Sequence, residues 1–135
     1  MKRVALVGVT GYGGVHFRHL KALAEAGECD LGAAAVVNPE HPDAAAPLAW
    51  LRERGAAVYP AAEALFRAEK NRLDLVCLPV GIAAHEPLVR AALDALNGWD
   101  PTGGCLYDYN PKATQDKWIR TRTVKTVIGN HSFAV

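Results

Sequence analysis

The opening fourteen residues constrain the fold more than anything after them. The apolar run Val4 to Val9 enters the glycine cluster Gly8 to Gly14 (GVTGYGG), and an amphipathic stretch follows at once. An apolar run without alternation is the pattern of a strand buried on both faces, as in a parallel sheet. Glycines at that point remove the side chains that would obstruct a sharp turn from strand into helix. From Val15 to Ala26 the residues Val15, Leu20, Leu23 and Ala24 recur at helical spacing, and Gly27 is placed to end the helix. Leu31 to Val37 is a second apolar run, stopped at Asn38-Pro39 because proline cannot continue a central strand.

The same alternation continues. Ala44 to Arg54 reads as an alanine-rich helix with Pro47 near its first turn and Gly55 after its last, and Ala57 to Tyr59 as a short third strand. Ala61 to Lys70 is helical, and Leu73 to Leu78 is a fourth strand closed by Pro79 and Gly81. His85 to Leu96 is a helix with Pro87 in its first turn and Leu88, Ala92 and Leu96 on one face. Strands alternating with helices at this spacing predict an α/β fold: a parallel sheet with helices on both faces and right-handed crossovers. After Leu96 the texture changes to Asn97-Gly98-Trp99-Asp100-Pro101-Thr102-Gly103-Gly104. Residues 105–109 and 123–128 are then β-like, and Asn110-Pro111 and Gly129-Asn130 are turn signals.

Composition excludes several classes. With 135 residues the chain can bury one core. Fifteen Lys and Arg against fourteen Asp and Glu leave a net charge of +1, so no basic field exists to gather nucleic acid or an anionic membrane. Cys29, Cys77 and Cys105 are odd in number and lack CxxC spacing, which argues against a disulfide framework and a zinc site. His16 and His19 lie three apart on a predicted helix but have no partner at metal-ligand spacing, so no metal is expected. Glu25, Glu28 and Asp30 read as a solvated face. No Ser-His-Asp or Cys-His arrangement is legible, and no catalytic residue is assigned. The start MKRVALVGV imitates a signal peptide, but glycines interrupt it before an h-region forms. It reads as a strand, nothing later is long enough to span a bilayer, and a cytoplasmic location is expected.

A glycine cluster between strand and helix suits a pyrophosphate, because the helix N-terminus presents free N–H donors and the positive end of its dipole. Gly8, Gly11 and Gly14 make a GxxGxxG register. In the GxGxxG register Gly8 and Gly13 match, while Thr10 stands at the middle glycine. Gly8, Thr10, Gly11, Tyr12, Gly13 and Gly14 are thus the candidate dinucleotide-binding loop. At the tip of the second strand Asn38, followed by Glu40, stands where a ribose-binding carboxylate is expected. That leaves NAD and NADP both open, as well as a plain turn role for Asn38.

With VALVGVTGYGGVH, VVNPEH and LDLVCLPVGIAAHEPLVRAAL on the page, residues 1 to about 96 resemble the N-terminal domain of the Gfo/Idh/MocA oxidoreductase family. The resemblance implies a Rossmann-like half domain that binds NAD or NADP, with Pro79, Val80 and His85 lining the nicotinamide side. For His85 a bond to nearby backbone is the alternative. The family's Glu-Lys-Pro strand end and its substrate domain do not follow, and Lys112 after Asn110-Pro111 does not inherit the lysine's role.

The remainder, from about Ala95, carries GWDPTGG, a YNP turn, a KW segment and IGNHSF. These resemble the C-terminal end of the catalytic domain of SleB-type (spore-cortex-lytic) cell-wall hydrolases. The likeness implies a piece of a glycan groove with Trp99, Tyr107, Asn110 and His131 as wall residues. Asp108 stands where an aromatic is expected, and the resemblance places the family's catalytic glutamate upstream, in a helical part expected to be absent here. Two families meeting near Ala91 to Asn97 imply a chimera. The expected fold is a parallel sheet of order 3-2-1-4, over residues 1–96. A foreign tail, 97–135, packs on it as one unit and adds one or two strands beside the fourth, with CLYDY as the returning fifth strand. The expected function is a binding module with residual NAD(P) affinity and no complete active site. The alternatives are a folded chimera without ligand function and, last, a cell-wall (peptidoglycan) hydrolase fragment. Self-association through the sheet edge or by swapping is expected to be open to such a chain.

Overall fold

Buried strands without alternation become a parallel sheet here. The structure, a computed structural model, describes residues 1–96 and, by backbone alone, residues 108–109, 118–119, 124–126 and 129–131. The elements of the first part are β1 (Arg3–Val7), α1 (Tyr12–Glu25), β2 (Asp30–Ala35), a 3-10 turn (Pro42–Ala44), α2 (Ala45–Glu53), β3 (Ala57–Tyr59), α3 (Ala62–Ala68), β4 (Leu75–Cys77) and α4 (Ile82–Ala95). The four strands form one sheet of order β3-β2-β1-β4, and every ladder in it is parallel.

Alternate residues of β1 face opposite ways. Val4 and Leu6 join Phe17, Leu20, Leu48 and Leu51 beneath α1 and α2. Ala5 and Val7 join Leu65, Phe66, Leu73 and Ala92 beneath α3 and α4. The register shifts between β1 and β2: Val4 pairs with Leu31, but Ala5 pairs with Ala33. Gly32 is therefore the extra residue of a bulge. It resets the parity of β2 so that Leu31 and Ala34 share one core and Ala33 and Ala35 the other. Leu6, Leu51 and Leu65 are fully buried, each contributing about 1.5–3 kcal/mol.

Helix ends follow local chemistry. Gly27 (φ 76°) ends α1, with the Glu28 N–H bonded back to the Leu23 carbonyl. Gly55 (φ 71°) ends α2 in the same way, the Ala56 N–H reaching the Leu51 carbonyl. Two helices begin three residues earlier than the periodicity suggests. α1 starts at Tyr12 rather than Val15, taking Gly13 and Gly14 into its first turn. α4 starts at Ile82 rather than His85, which moves Pro87 from the first turn to the sixth helical residue. β4 is shorter than Leu73 to Leu78. Leu73 instead makes an isolated parallel bridge to Leu96, and the Asp74 carboxylate accepts the Arg3 backbone N–H at 2.9 Å.

The chain divides into two units, Met1–Asn97 and Gly98–Val135. In the second, β5 (Asp108–Tyr109) pairs antiparallel with β6 (Trp118–Ile119), and β7 (Val124–Thr126) pairs antiparallel with β8 (Gly129–His131). The end of CLYDY thus joins a two-stranded antiparallel ladder instead of returning as a parallel fifth strand; Cys105 to Tyr107 lie outside the described residues. Among the described residues no helix is long and apolar enough to cross a membrane.

A Cβ at position 13 would overlap the Gly8 carbonyl oxygen and lie 2.7 Å from its carbon. Because that neighbour is backbone, Gly13→Ala is expected to cost about 1–3 kcal/mol. The measurement is a lowered urea midpoint with an unchanged denaturant slope.

Candidate functional site

The glycine loop is explained by its own geometry. Gly8 (φ 95°) and Gly11 (φ 57°) hold left-handed conformations that side chains resist. Gly13 and Gly14 let the first turn of α1 pass close over the Gly8 and Val9 carbonyls. Tyr12 is 70% exposed and stacks edge-on against His16. The Asn38 amide donates to the Thr10 hydroxyl at 3.3 Å, so the side chain expected to meet a ribose is turned into the loop. A groove of about 620 Å³ runs beside the loop, lined by Thr10, Gly14, Arg18, Lys21 and Asp43 among others. Pro79 and Val80 follow β4, with Val80 packed against the α3/α4 core, and His85 is half-buried in α4. Among the described residues no hydrogen bond joins these three to the loop. The loop glycines and Asn38 thus have roles within the fold: the glycines allow the tight crossing from β1 to α1, and Asn38 closes on Thr10.

A second cluster escaped sequence reading. Arg3, the first residue of β1, places Nε and Nη2 on Glu69 Oε2, both at 3.1 Å, with Nη1 on Asp30 Oδ2 at 3.0 Å and Nη2 also on the Gly32 carbonyl at 3.1 Å. Glu69 is only 1% exposed. Its other oxygen accepts the Tyr59 hydroxyl at 2.9 Å, and Arg72 lies 3.8 Å away. The signal that could have found it is an acid at the C-terminal end of α3, where the helix dipole disfavours negative charge. Removing Arg3 would strand that carboxylate, so Arg3→Ala is expected to cost about 3–5 kcal/mol, measurable by urea denaturation.

A third feature lies where α1 ends, β2 begins and α2 ends. A groove of about 350 Å³ is lined by Met1, Ala24, Cys29, Asp30, Leu31, Trp50 and Arg54. The Trp50 indole N–H donates to Glu25 at 3.0 Å, its ring meets Phe17 edge-on, and the Arg54 guanidinium lies over it at 5.0 Å. Trp99, Tyr107 and Asn110 lie outside the described residues, and of His131 only the backbone, in β8, is described. Among the described residues no group of three or more His, Cys, Asp or Glu could hold a metal ion.

Burial raises the Cys77 thiol above its ordinary value, with Cys29 adding to it. Burial also raises Cys29, helped by Asp30 and Glu28. Tyr59 is raised first by burial and then by its bond to the Glu69 carboxylate, against the opposing pull of Arg72 and Arg3. A raised folded value means that the fold holds the proton longer than the unfolded chain does. Stability is then complete below the unfolded values and falls as the pH climbs through about 8.5 for thiols and about 10 for the phenol toward the folded values. Urea midpoints should drop from neutral to alkaline pH, and Cys77→Ala and Tyr59→Phe should each flatten part of the drop.

Comparison with known proteins finds a family model described as cell wall hydrolase over residues 63–134. The spore cortex-lytic enzyme of Bacillus cereus is 48% identical over 52 residues, which is 38% of this chain and 20% of that protein. That of Oceanobacillus iheyensis is 51% identical over 43 residues, 32% of this chain and 16% of that protein. That of Bacillus subtilis is 43% identical over 49 residues, 36% and 16% respectively. The chain thus spans about one fifth or less of the length of these curated relatives. No solved structure matches it.

These findings correct the reading of residues 1–96 as an oxidoreductase half domain. The matched segment starts inside α3 and runs through β4 and α4, so it crosses the junction near Ala91 to Asn97 at which two families were expected to meet. Nothing found points to an oxidoreductase, and the expectation of NAD or NADP falls with it. A parallel sheet with glycines at its first turn needs those glycines whether or not a nucleotide is bound. The cell-wall reading, placed last from the sequence, is the one the comparisons support.

Proposed function

The chain belongs to the cell wall hydrolase family, and on that premise we propose that it acts on the glycan of bacterial cell wall. The carrying observation is the match over residues 63–134, which contains GWDPTGG, the YNP turn, the KW segment and IGNHSF. The similar relatives are named spore cortex-lytic enzymes.

Hydrolysis of a glycosidic bond requires a carboxylic acid to protonate the leaving oxygen and a second carboxylate nearby. Within the described part of the match, both oxygens of Glu69 are engaged, Asp74 holds the Arg3 backbone N–H, and Glu86 pairs with Arg90. These three carboxylates are engaged within the fold, whereas Glu63 on α3 and Asp94 on α4 are exposed. Contact with glycan falls in this reading to the aromatic, amide and imidazole groups of the tail, Trp99, Tyr107, Asn110 and His131, which suit the apolar faces and hydroxyl rims of sugar rings.

The test is cosedimentation of the full chain with purified peptidoglycan, together with release of reducing ends. Retention is expected, and Trp99→Ala should weaken it roughly tenfold, the scale of losing an aromatic contact to ligand. A chain that neither pellets with peptidoglycan nor releases reducing ends would refute the reading.

A further inference from the structure

Outside the family-matched segment, the groove at the start of β2 contains a cation set up for recognition. Arg54 lies just past the end of α2, and its guanidinium is laid over the Trp50 ring at 5.0 Å. That ring is itself fixed by the Glu25 bond at 3.0 Å and by Phe17 at 5.7 Å. Among the described residues Arg54 has no carboxylate partner. A guanidinium set against an indole face at 5.0 Å and without a carboxylate partner keeps N–H groups to donate, and its fork matches a carboxylate in bidentate fashion. The adjoining wall is mixed, with Ala24 and Leu31 apolar and Cys29 weakly polar. A cavity of about 350 Å³ is at the small end of ligand sites, which run upward from roughly 300 Å³.

We propose that this groove binds a small ligand carrying one carboxylate on a sugar-sized body, with Arg54 as its anchor and Trp50 as its platform. The other charges that face the groove set the selectivity. Asp30 is paired with Arg3 at 3.0 Å, and Glu25 is bonded by Trp50 and faces Lys21 at 3.8 Å. Asp30 in the lining and Glu25 on the Trp50 indole are negative neighbours that disfavour a doubly charged phosphate, while a single carboxylate meets the Arg54 cation. In cell-wall glycan the unit of that description is an N-acetylmuramyl sugar whose lactyl carboxylate is free of the stem peptide that otherwise amidates it. This choice of ligand rests on the cell-wall reading, whereas the groove itself does not.

The experiment is a titration of the full 15N-labelled chain followed by NMR, reading the Trp50 indole N–H, assigned with Trp50→Phe, and the Arg54 Nε–H. The probes are N-acetylmuramic acid, N-acetylglucosamine, acetate and inorganic phosphate. N-acetylmuramic acid should move both resonances, N-acetylglucosamine neither, and acetate should move them weakly. Arg54→Gln, with the rest of its spectrum unchanged, should weaken binding of N-acetylmuramic acid tenfold or more; Arg54→Lys should fall between. Unmoved resonances at millimolar N-acetylmuramic acid, an equal response in Arg54→Gln, or an equal response to phosphate would overturn the proposal. If the wild type is retained on peptidoglycan while the Trp50 resonance stays still, the groove fails and the cell-wall reading stands. If the resonance moves in a chain that is not retained, the groove stands and the cell-wall reading fails.

Discussion

Arg3 can reach Glu69, Asp30 and the Gly32 carbonyl at once only because residue 32 has no side chain. A Cβ there would overlap the guanidinium. With that space open, one arginine ties β1 to the start of β2 and to the end of α3, while its own backbone N–H holds Asp74 just before β4. Tyr59 brings β3 to the same carboxylate. All four strands and one helix therefore converge on a single hydrogen-bonded cluster at the edge of the core. A carboxylate this deeply buried is tolerable because both of its oxygens accept hydrogen bonds, Oε2 from Arg3 and Oε1 from Tyr59.

The same glycine controls the packing on both sides of the sheet. As the extra residue of the bulge, Gly32 shifts the alternation of β2 by one, and the alanines that follow fall into the correct cores. Ala33, Ala34 and Ala35 are fully buried, and such small side chains let helices on both faces approach the strand closely. The arrangement also bears on the family match. Glu69, β4 and α4 lie inside residues 63–134, but the groups that complete them, Arg3, Asp30, Tyr59 and β1, lie before residue 63. The first part of the family segment is thus built into a sheet whose other three strands precede it.

Much of this fold was legible. The unbroken apolar runs, the glycines after α1 and α2 and the prolines after strands located four strands and four helices to within about three residues. The glycine loop was legible as a turn, while the NAD(P) expectation drawn from it is overturned by the family match. A tight crossing from strand to helix and a phosphate cradle demand the same absent side chains, so Gly8 to Gly14 could not tell the two apart. The Thr10 to Asn38 bond, which spans 28 positions, was invisible to any local pattern. The family likeness of the tail lay in the letters GWDPTGG, YNP and IGNHSF rather than in periodicity, and its candidate glycan residues were chosen on those letters alone.

By itself the sequence determined the local grammar: which runs are strands, where helices stop, and that four strands alternating with helices form a parallel sheet. Those features depend on neighbours a few positions apart, where sterics, hydrogen-bond supply and apolar spacing act directly. Only the tertiary structure decided that the arginine opening β1 anchors the sheet and that Gly32 is a bulge. It likewise decided that Asn38 turns inward and that Arg54 lies on Trp50 at the mouth of a groove. Apart from the last, these depend on groups tens of residues apart meeting in space. Even Arg54 and Trp50, one helical turn apart, gain their setting from Phe17 and Glu25 on another helix.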